Sequence, residues 1–130
     1  MSTLQVIDAS VLVDVLAVGS QPVRRLLERP VFCTPPHTPL EVINGLRGLW
    51  LAGTLSAEAL VEATALLPRL PVATMPIDAM IGRICELRHD LTAYDASYVA
   101  LAEALGARLV TRDVRLAAAP GTRCEVVLLG

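Results

Sequence analysis

Lysine is absent from this chain: all eleven basic residues are arginine. A phosphorylatable receiver domain, which also gathers aspartates at strand ends, needs a lysine partner, so that reading loses its support. Aromatic residues are only 3% of the chain, namely Phe32, Trp50, Tyr94 and Tyr98. Little ring surface is therefore on offer for stacking unpaired bases. The three cysteines, Cys33, Cys85 and Cys124, are odd in number and form no CxxC pair, which argues against a disulfide framework or a zinc site. His37 and His89 fall into no HxH, HExxH or Cys/His spacing. No GxSxG, GxGxxG or GxxxxGK[ST] pattern is present, so a nucleophile elbow and the common nucleotide loops are not indicated. No run of about 18 apolar residues occurs, and no charged leader precedes an apolar one. A reducing, cytoplasmic setting away from membranes is the default expectation.

What the chain does have is apolar residues, 54% of its 130 positions, with charged residues at 18%. That length fits one domain spanning residues 1–130. A domain of this size buries roughly 68% of the surface its unfolded chain exposes. Apolar runs followed by helical patterns alternate along it. Leu4–Ile7 reads as a buried strand. Ser10 is placed to cap a helix from Val11 to near Gly19, and Pro22 opens a short helical stretch ending before Pro30. Val31–Thr34 is strand-like. Thr38, Pro39 and Glu41 form a helix start, with Thr38 as the cap and Gly53 as the stop. Ser56 caps a helix to about Leu67. Val72–Met75 is a strand, and Pro76 begins a helix to about Arg88. Thr92 caps a nearly all-apolar helix that Gly106 ends. Strands follow over Arg108–Thr111 and Cys124–Leu128, with a short helix around Arg115–Ala118 between them. This alternation predicts an α/β fold, a three-layer α/β/α sandwich with a mainly parallel sheet.

In such sheets the chemistry collects outside the carboxyl ends of the strands. Asp8 follows the first strand directly. Asp113 follows the RLVT strand after one residue. Glu41 and Asp95 each sit in the first turn of a helix, a position that usually lies near that same edge. Each acid alone reads sooner as a cap, a turn residue or a solvated charge than as a ligand. Together they make a convergent set whose mutual repulsion a divalent cation would relieve. Mg2+ or Mn2+ prefers oxygen ligands and takes up phosphate oxygens readily. The net charge of −2 speaks against bulk attraction to nucleic acid. Setting aside four metal-binding acids leaves a positive remainder, and Arg47, Arg88, Arg112 and Arg115 are the candidates to meet phosphates. Solvated arginines or structural ion pairs are the plain alternative for each. Asp14 is expected to face solvent or a neighbour, Asp78 to favour a helix start, and Asp90 to lie in a turn. Tyr98 reads as core, and Tyr94 is left open.

The ordered set VIDASVLVD, PLEVINGLR and TAYDASYVALAEALGARLVTRDVRLA resembles a PIN domain of the VapC type, the toxin ribonucleases of type II toxin–antitoxin modules. The similarity runs over essentially the whole chain. It implies a PIN-like fold and Mg2+- or Mn2+-dependent endonucleolytic cleavage of RNA. It puts the metal-binding and catalytic acids at Asp8, Glu41, Asp95 and Asp113. Asp8 and Asp95 would be the central ligands, Glu41 would bind metal or help activate water, and Asp113 would complete the site. Ser10 and Thr111 stand where a hydroxyl could support those ligands. The resemblance also implies a homodimer and a VapB-type antitoxin whose C-terminal segment enters the groove. DNA would be met only indirectly, through that antitoxin. A PIN-fold protein without catalysis, acting as a binding partner of an antitoxin-like protein, is the alternative. The test that separates the two is metal-dependent RNA cleavage.

Overall fold

A computed structural model describes residues 4–18 and 31–130. Five strands form one parallel sheet: β1 (Leu4–Ile7), β2 (Val31–Thr34), β3 (Val72–Thr74), β4 (Arg108–Thr111) and β5 (Val126–Leu128), in the order β3-β2-β1-β4-β5. The described helices are α1 (Ala9–Ala17), α2 (Thr38–Leu51), α3 (Ala57–Leu66), α4 (Ile81–Glu86), α5 (Ala93–Leu105) and α6 (Val114–Ala118). The expected helix between Pro22 and Pro30 lies outside the described residues.

Alternation along the central strands explains the layering. Val6, Cys33 and Leu109 point to one face of the sheet and pack with Tyr98, Val99, Leu101 and Ala102 of α5. Ile7, Phe32 and Val110 point to the other and pack with Val11, Leu12 and Val15 of α1 and Val42 and Leu46 of α2. Successive strand side chains face opposite ways, so a strand buried on both faces reads as a continuous apolar run. The result is the expected three-layer α/β/α sandwich. Helix α5 lacks a polar stripe because residues 96–102 are all buried. Its remaining charge, Glu103, is answered by a fork from Arg83: Nε to Oε1 at 2.7 Å and Nη2 to Oε2 at 3.1 Å. Burial works to raise the Glu103 carboxyl, but Arg83 and the Arg123 backbone N–H hold it below its ordinary range.

The chain runs from β1 out to β2 and β3, then crosses back to β4 on the other side of β1. The strand order therefore reverses between β1 and β4, and their carboxyl ends flank the place where open α/β sheets bind ligands.

Several helix starts differ from expectation. Helix α1 begins at Ala9 with Asp8 in the capping position, so Ser10 is inside the helix. Its hydroxyl is spent across the sheet instead, as described below. Helix α2 begins at Thr38 with His37 before it, so Thr38 is not the cap. The Thr38 hydroxyl lies 3.0 Å from the Tyr98 hydroxyl. The segment after Pro76 forms a 3-10 turn at Asp78–Met80, the six-residue α4 and a second 3-10 turn at Leu87–His89, not one helix. No side chain caps α4. Thr92 and Ser56 do cap as expected, accepting from the N–H groups of Asp95 and Ala59. Gly106 ends α5 at φ +62, a left-handed conformation that favours glycine. Among the described residues no helix is long and apolar enough to cross a membrane.

Two glycines of α2 should respond oppositely to alanine. A Cβ on Gly48 meets nothing within 4 Å, whereas one on Gly45 would come within 2.7 Å of Cγ2 of Val13 in α1. Gly48→Ala should stabilise the protein by roughly 1 kcal/mol, seen as a melting temperature about 3–5 °C higher. Gly45→Ala makes the same helical gain but must displace a β-branched side chain with few rotamers, and should lose about 1–2 kcal/mol net. Adding Val13→Ala should remove that loss. Equal melting shifts for the two glycine variants would contradict the close packing of α1 on α2.

Candidate active site

Asp8 stands where β1 passes into α1, 5% exposed. Its backbone N–H extends the sheet ladder to the carbonyl of Val110. Its carboxylate is held by two hydroxyls: Ser10 donates to Oδ1 at 2.5 Å and Thr111 donates to Oδ2 at 2.6 Å. Burial raises the Asp8 carboxyl above its ordinary range. The two hydroxyls and the Val11 N–H oppose this, and the charge of Asp113 adds to it. Ser10 also accepts the N–H of Arg112, and Thr111 accepts the N–H of Asp113, each at 2.9 Å. Both hydroxyls therefore bond to Asp8, and they tie α1 to the end of β4.

Asp113 precedes α6 and caps it, with Oδ1 accepting from the N–H of Arg115 at 2.9 Å and of Leu116 at 3.4 Å. Capping thus occupies Oδ1 of this acid, while Oδ2 makes no cap bond and lies 3.9 Å from Arg115 Nη2. Asp95 lies half-buried in the first turn of α5. Burial raises its carboxyl. The charges of Asp113 and Glu41 add to the rise, while Arg115 and Thr92 lower it. Glu41, in the first turn of α2, receives the Tyr98 hydroxyl on Oε1 at 2.8 Å and lies 2.8 Å from His37 Nε2 through that same oxygen.

The four acids therefore share one electrostatic field. Asp113 acts on Asp8 and on Asp95, and Glu41 acts on Asp95 and Tyr98. Like charges gathered so close raise one another's proton affinity, and a cation removes the conflict. Among the described residues no three Asp, Glu, His or Cys side chains close into a group that could hold a metal ion. The donor set nevertheless suits one by its chemistry: carboxylate oxygens, two of them on groups that resist ionisation where they stand.

The arginines divide. Arg112 forms an ion pair with Asp14, which is buried within α1. Of the alternatives the sequence leaves open, Asp14 thus takes the neighbour and Arg112 the structural ion pair, which commits that arginine to a carboxylate. Arg88 donates to the carbonyl of Cys85 at 3.0 Å, and Arg47 is exposed on α2. Arg115 is 86% exposed, 3.9 Å from Asp113, and its charge reaches Asp95. It keeps its candidacy best. Tyr98 is core, as expected, while Tyr94 is 61% exposed. His37 was not expected at the site. Its i, i+4 relation to Glu41 is visible in the sequence, but the local pattern makes Thr38 the cap and so puts His37 outside the helix start.

The PIN domain family profile matches residues 6–121. Ribonuclease VapC1 of Mycobacterium tuberculosis is 40% identical over 128 residues, covering 95% of this chain and 96% of the relative. Ribonuclease VapC9 of the same organism is 37% identical over 124 residues, covering 95% and 97%. Among solved structures, PAE2754 from Pyrobaculum aerophilum superposes with a TM-score of 0.68 at 28% identity, covering 95% of this chain and 83% of that one. A chain from a toxin–antitoxin complex of Klebsiella pneumoniae shares the fold with a TM-score of 0.64 at 22% identity, covering 95% of each.

Proposed function

The chain belongs to the PIN-domain family as a VapC-type toxin ribonuclease, and from that premise we propose that it cleaves RNA phosphodiester bonds through Asp8, Glu41, Asp95 and Asp113. The observation that supports this most is the shared field of those acids at the β1/β4 reversal. We take residues 1–130 as one PIN-like domain.

Asp8, Asp95, Asp113 Oδ2 and Glu41 would hold Mg2+ or Mn2+. When bound, such an ion lowers the pKa of a coordinated water and offsets the charge that builds up on a phosphodiester under attack. The chain's own residues set the stage. Ser10 and Thr111 fix both oxygens of Asp8, so this ligand cannot rotate. The cap at α6 fixes one oxygen of Asp113. Glu41 offers a carboxylate that can bind metal or orient the attacking water. Arg115, exposed beside the acids, is placed to meet a phosphate of the RNA backbone. With so few exposed rings, RNA choice rests on shape and phosphate contacts more than on base stacking.

The partner in this reading is a VapB-type antitoxin that blocks the groove. The toxin is a homodimer in the cytoplasm and meets DNA only through that antitoxin. The test is incubation of antitoxin-free protein with total RNA and Mg2+ or Mn2+, followed by mapping of the cut ends. Discrete cuts that stop on chelation are expected. Intact RNA in the presence of well-folded protein and Mn2+ would favour the binding-only reading instead.

A further inference from the structure

We propose that His37 and Tyr98 are positioning residues that make Glu41 act through a single oxygen. Both engage Oε1, leaving Oε2 as the oxygen available to a divalent cation or to an attacking water. This inference rests on Glu41 belonging to the metal-binding set.

A glutamate in the first turn of a surface helix ordinarily samples several rotamers, and it can meet a cation through one oxygen or both. Glu41 is only partly covered, its side chain 31% exposed, yet its conformation is over-determined. The Tyr98 hydroxyl donates to Oε1 at 2.8 Å. Since that proton is committed to Glu41, the Thr38 hydroxyl, 3.0 Å away, donates to the Tyr98 oxygen. The orientation is thus passed from Thr38 to Tyr98 to Glu41, from the start of α2 to α5 and back. His37 Nε2 stands 2.8 Å from the same Oε1, the distance of an N–H donating to a carboxylate. The imidazole is itself braced, with its ring centroid 5.3 Å from that of Tyr94 at 65° and 5.6 Å from that of Tyr98 at 66°. Both are edge-on arrangements favoured between rings. Two donors on one carboxylate oxygen, one on a ring held by two others, is more than a helix start needs. The backbone N–H of Glu41 is already satisfied by the carbonyl of His37.

Groups that orient metal ligands from behind are worth about 10–100-fold in metal affinity or activity. The experiment compares the full chain, free of antitoxin, with His37→Ala, His37→Gln, Tyr98→Phe, Glu41→Gln and the double variant His37→Ala/Glu41→Gln. Mn2+ binding is read from the paramagnetic resonance of free Mn2+, with RNA cleavage followed beside it. His37→Ala and Tyr98→Phe should each weaken Mn2+ binding about 10-fold and lower kcat at limiting Mn2+, with KM for RNA unchanged. His37→Gln, whose amide can still donate, should recover most of the loss. In the Glu41→Gln background, His37→Ala should add nothing. Wild-type Mn2+ affinity in His37→Ala, with Glu41→Gln impaired, overturns the positioning role and leaves Glu41 as a ligand. Wild-type affinity in Glu41→Gln overturns the reading beneath it. Should Tyr98→Phe fail to fold, His37→Ala and its glutamine counterpart decide the matter.

Discussion

Asp8→Asn should abolish RNA cleavage while leaving the protein folded and, at neutral pH, more stable. The loss should be on the order of a thousand-fold or more, since a metal ligand supports several kcal/mol of transition-state stabilisation and each ~1.4 kcal/mol is tenfold in rate. The stability gain follows from burial. The Asp8 carboxyl is pushed above its ordinary value of 3.8, chiefly by desolvation. The folded state thus binds this proton more tightly than the unfolded chain does. The stabilising term of the protonated acid is fully present below the ordinary value and is lost as pH rises through the folded one. At pH 7 the carboxylate is therefore a net cost that asparagine does not carry. Asparagine also keeps the local bonds: Oδ1 can accept from Thr111, and the amide can donate to a turned Ser10 hydroxyl. Urea melts in the presence of a chelator should show the variant ahead at pH 7 and level with the parent near pH 3. Undiminished cleavage by Asp8→Asn would remove Asp8 from the reaction.

Arg112→Met should cost about 2–3 kcal/mol of stability, with little change in KM for RNA per folded molecule. Removing one partner of a buried ion pair leaves the other charge less well compensated, at a cost of up to about 3–5 kcal/mol. The figure is lowered here because the Arg112 side chain is about a third exposed whereas Asp14 is buried. Asp14→Asn in the same chain should return part of the loss, because the buried charge that Arg112 helps to compensate is then gone. Arg115→Ala offers the contrast. That side chain is almost fully exposed, so the variant should melt normally and raise KM for RNA. Denaturant curves and steady-state cleavage separate the two outcomes. A stable Arg112→Met with a raised KM would return Arg112 to the phosphate-binding role that its sequence position suggests.

The difference between these arginines marks what the sequence makes legible. Arg112 and Arg115 both follow the RLVT strand, and nothing local tells them apart. Asp14 separates them from nearly a hundred positions upstream. The strands were readable because a sheet buried on both faces leaves continuous apolar runs. That the four acids would lie near one another was readable because two follow strands and two open helices, positions that topology sends to one edge. The helix starts were less readable wherever a hydroxyl had a distant partner. Ser10 and Thr38 both look like caps by local pattern. Ser10 instead serves Asp8 and the N–H of Arg112, and Thr38 serves Tyr98. Thr92 and Ser56, with no such partner, cap as their patterns predict. His37 escaped for the same reason, since its value lies in contacts with Tyr94 and Tyr98 in α5.

Because β1 lies between β2 and β4, the strand that leads to Asp8 finds one of its two neighbours only after β2, β3 and the helices that follow them have been made. The hydroxyl that secures Oδ2 of Asp8 comes from Thr111, 103 positions later. Pairings of such long range form late and slowly. A nascent or truncated chain that stops short of β4 has Asp8 but neither Thr111 nor Asp113, so it lacks the assembled site. Activity is thereby tied to the pairing of β1 with β4, and is withheld from any chain in which that pairing has not formed.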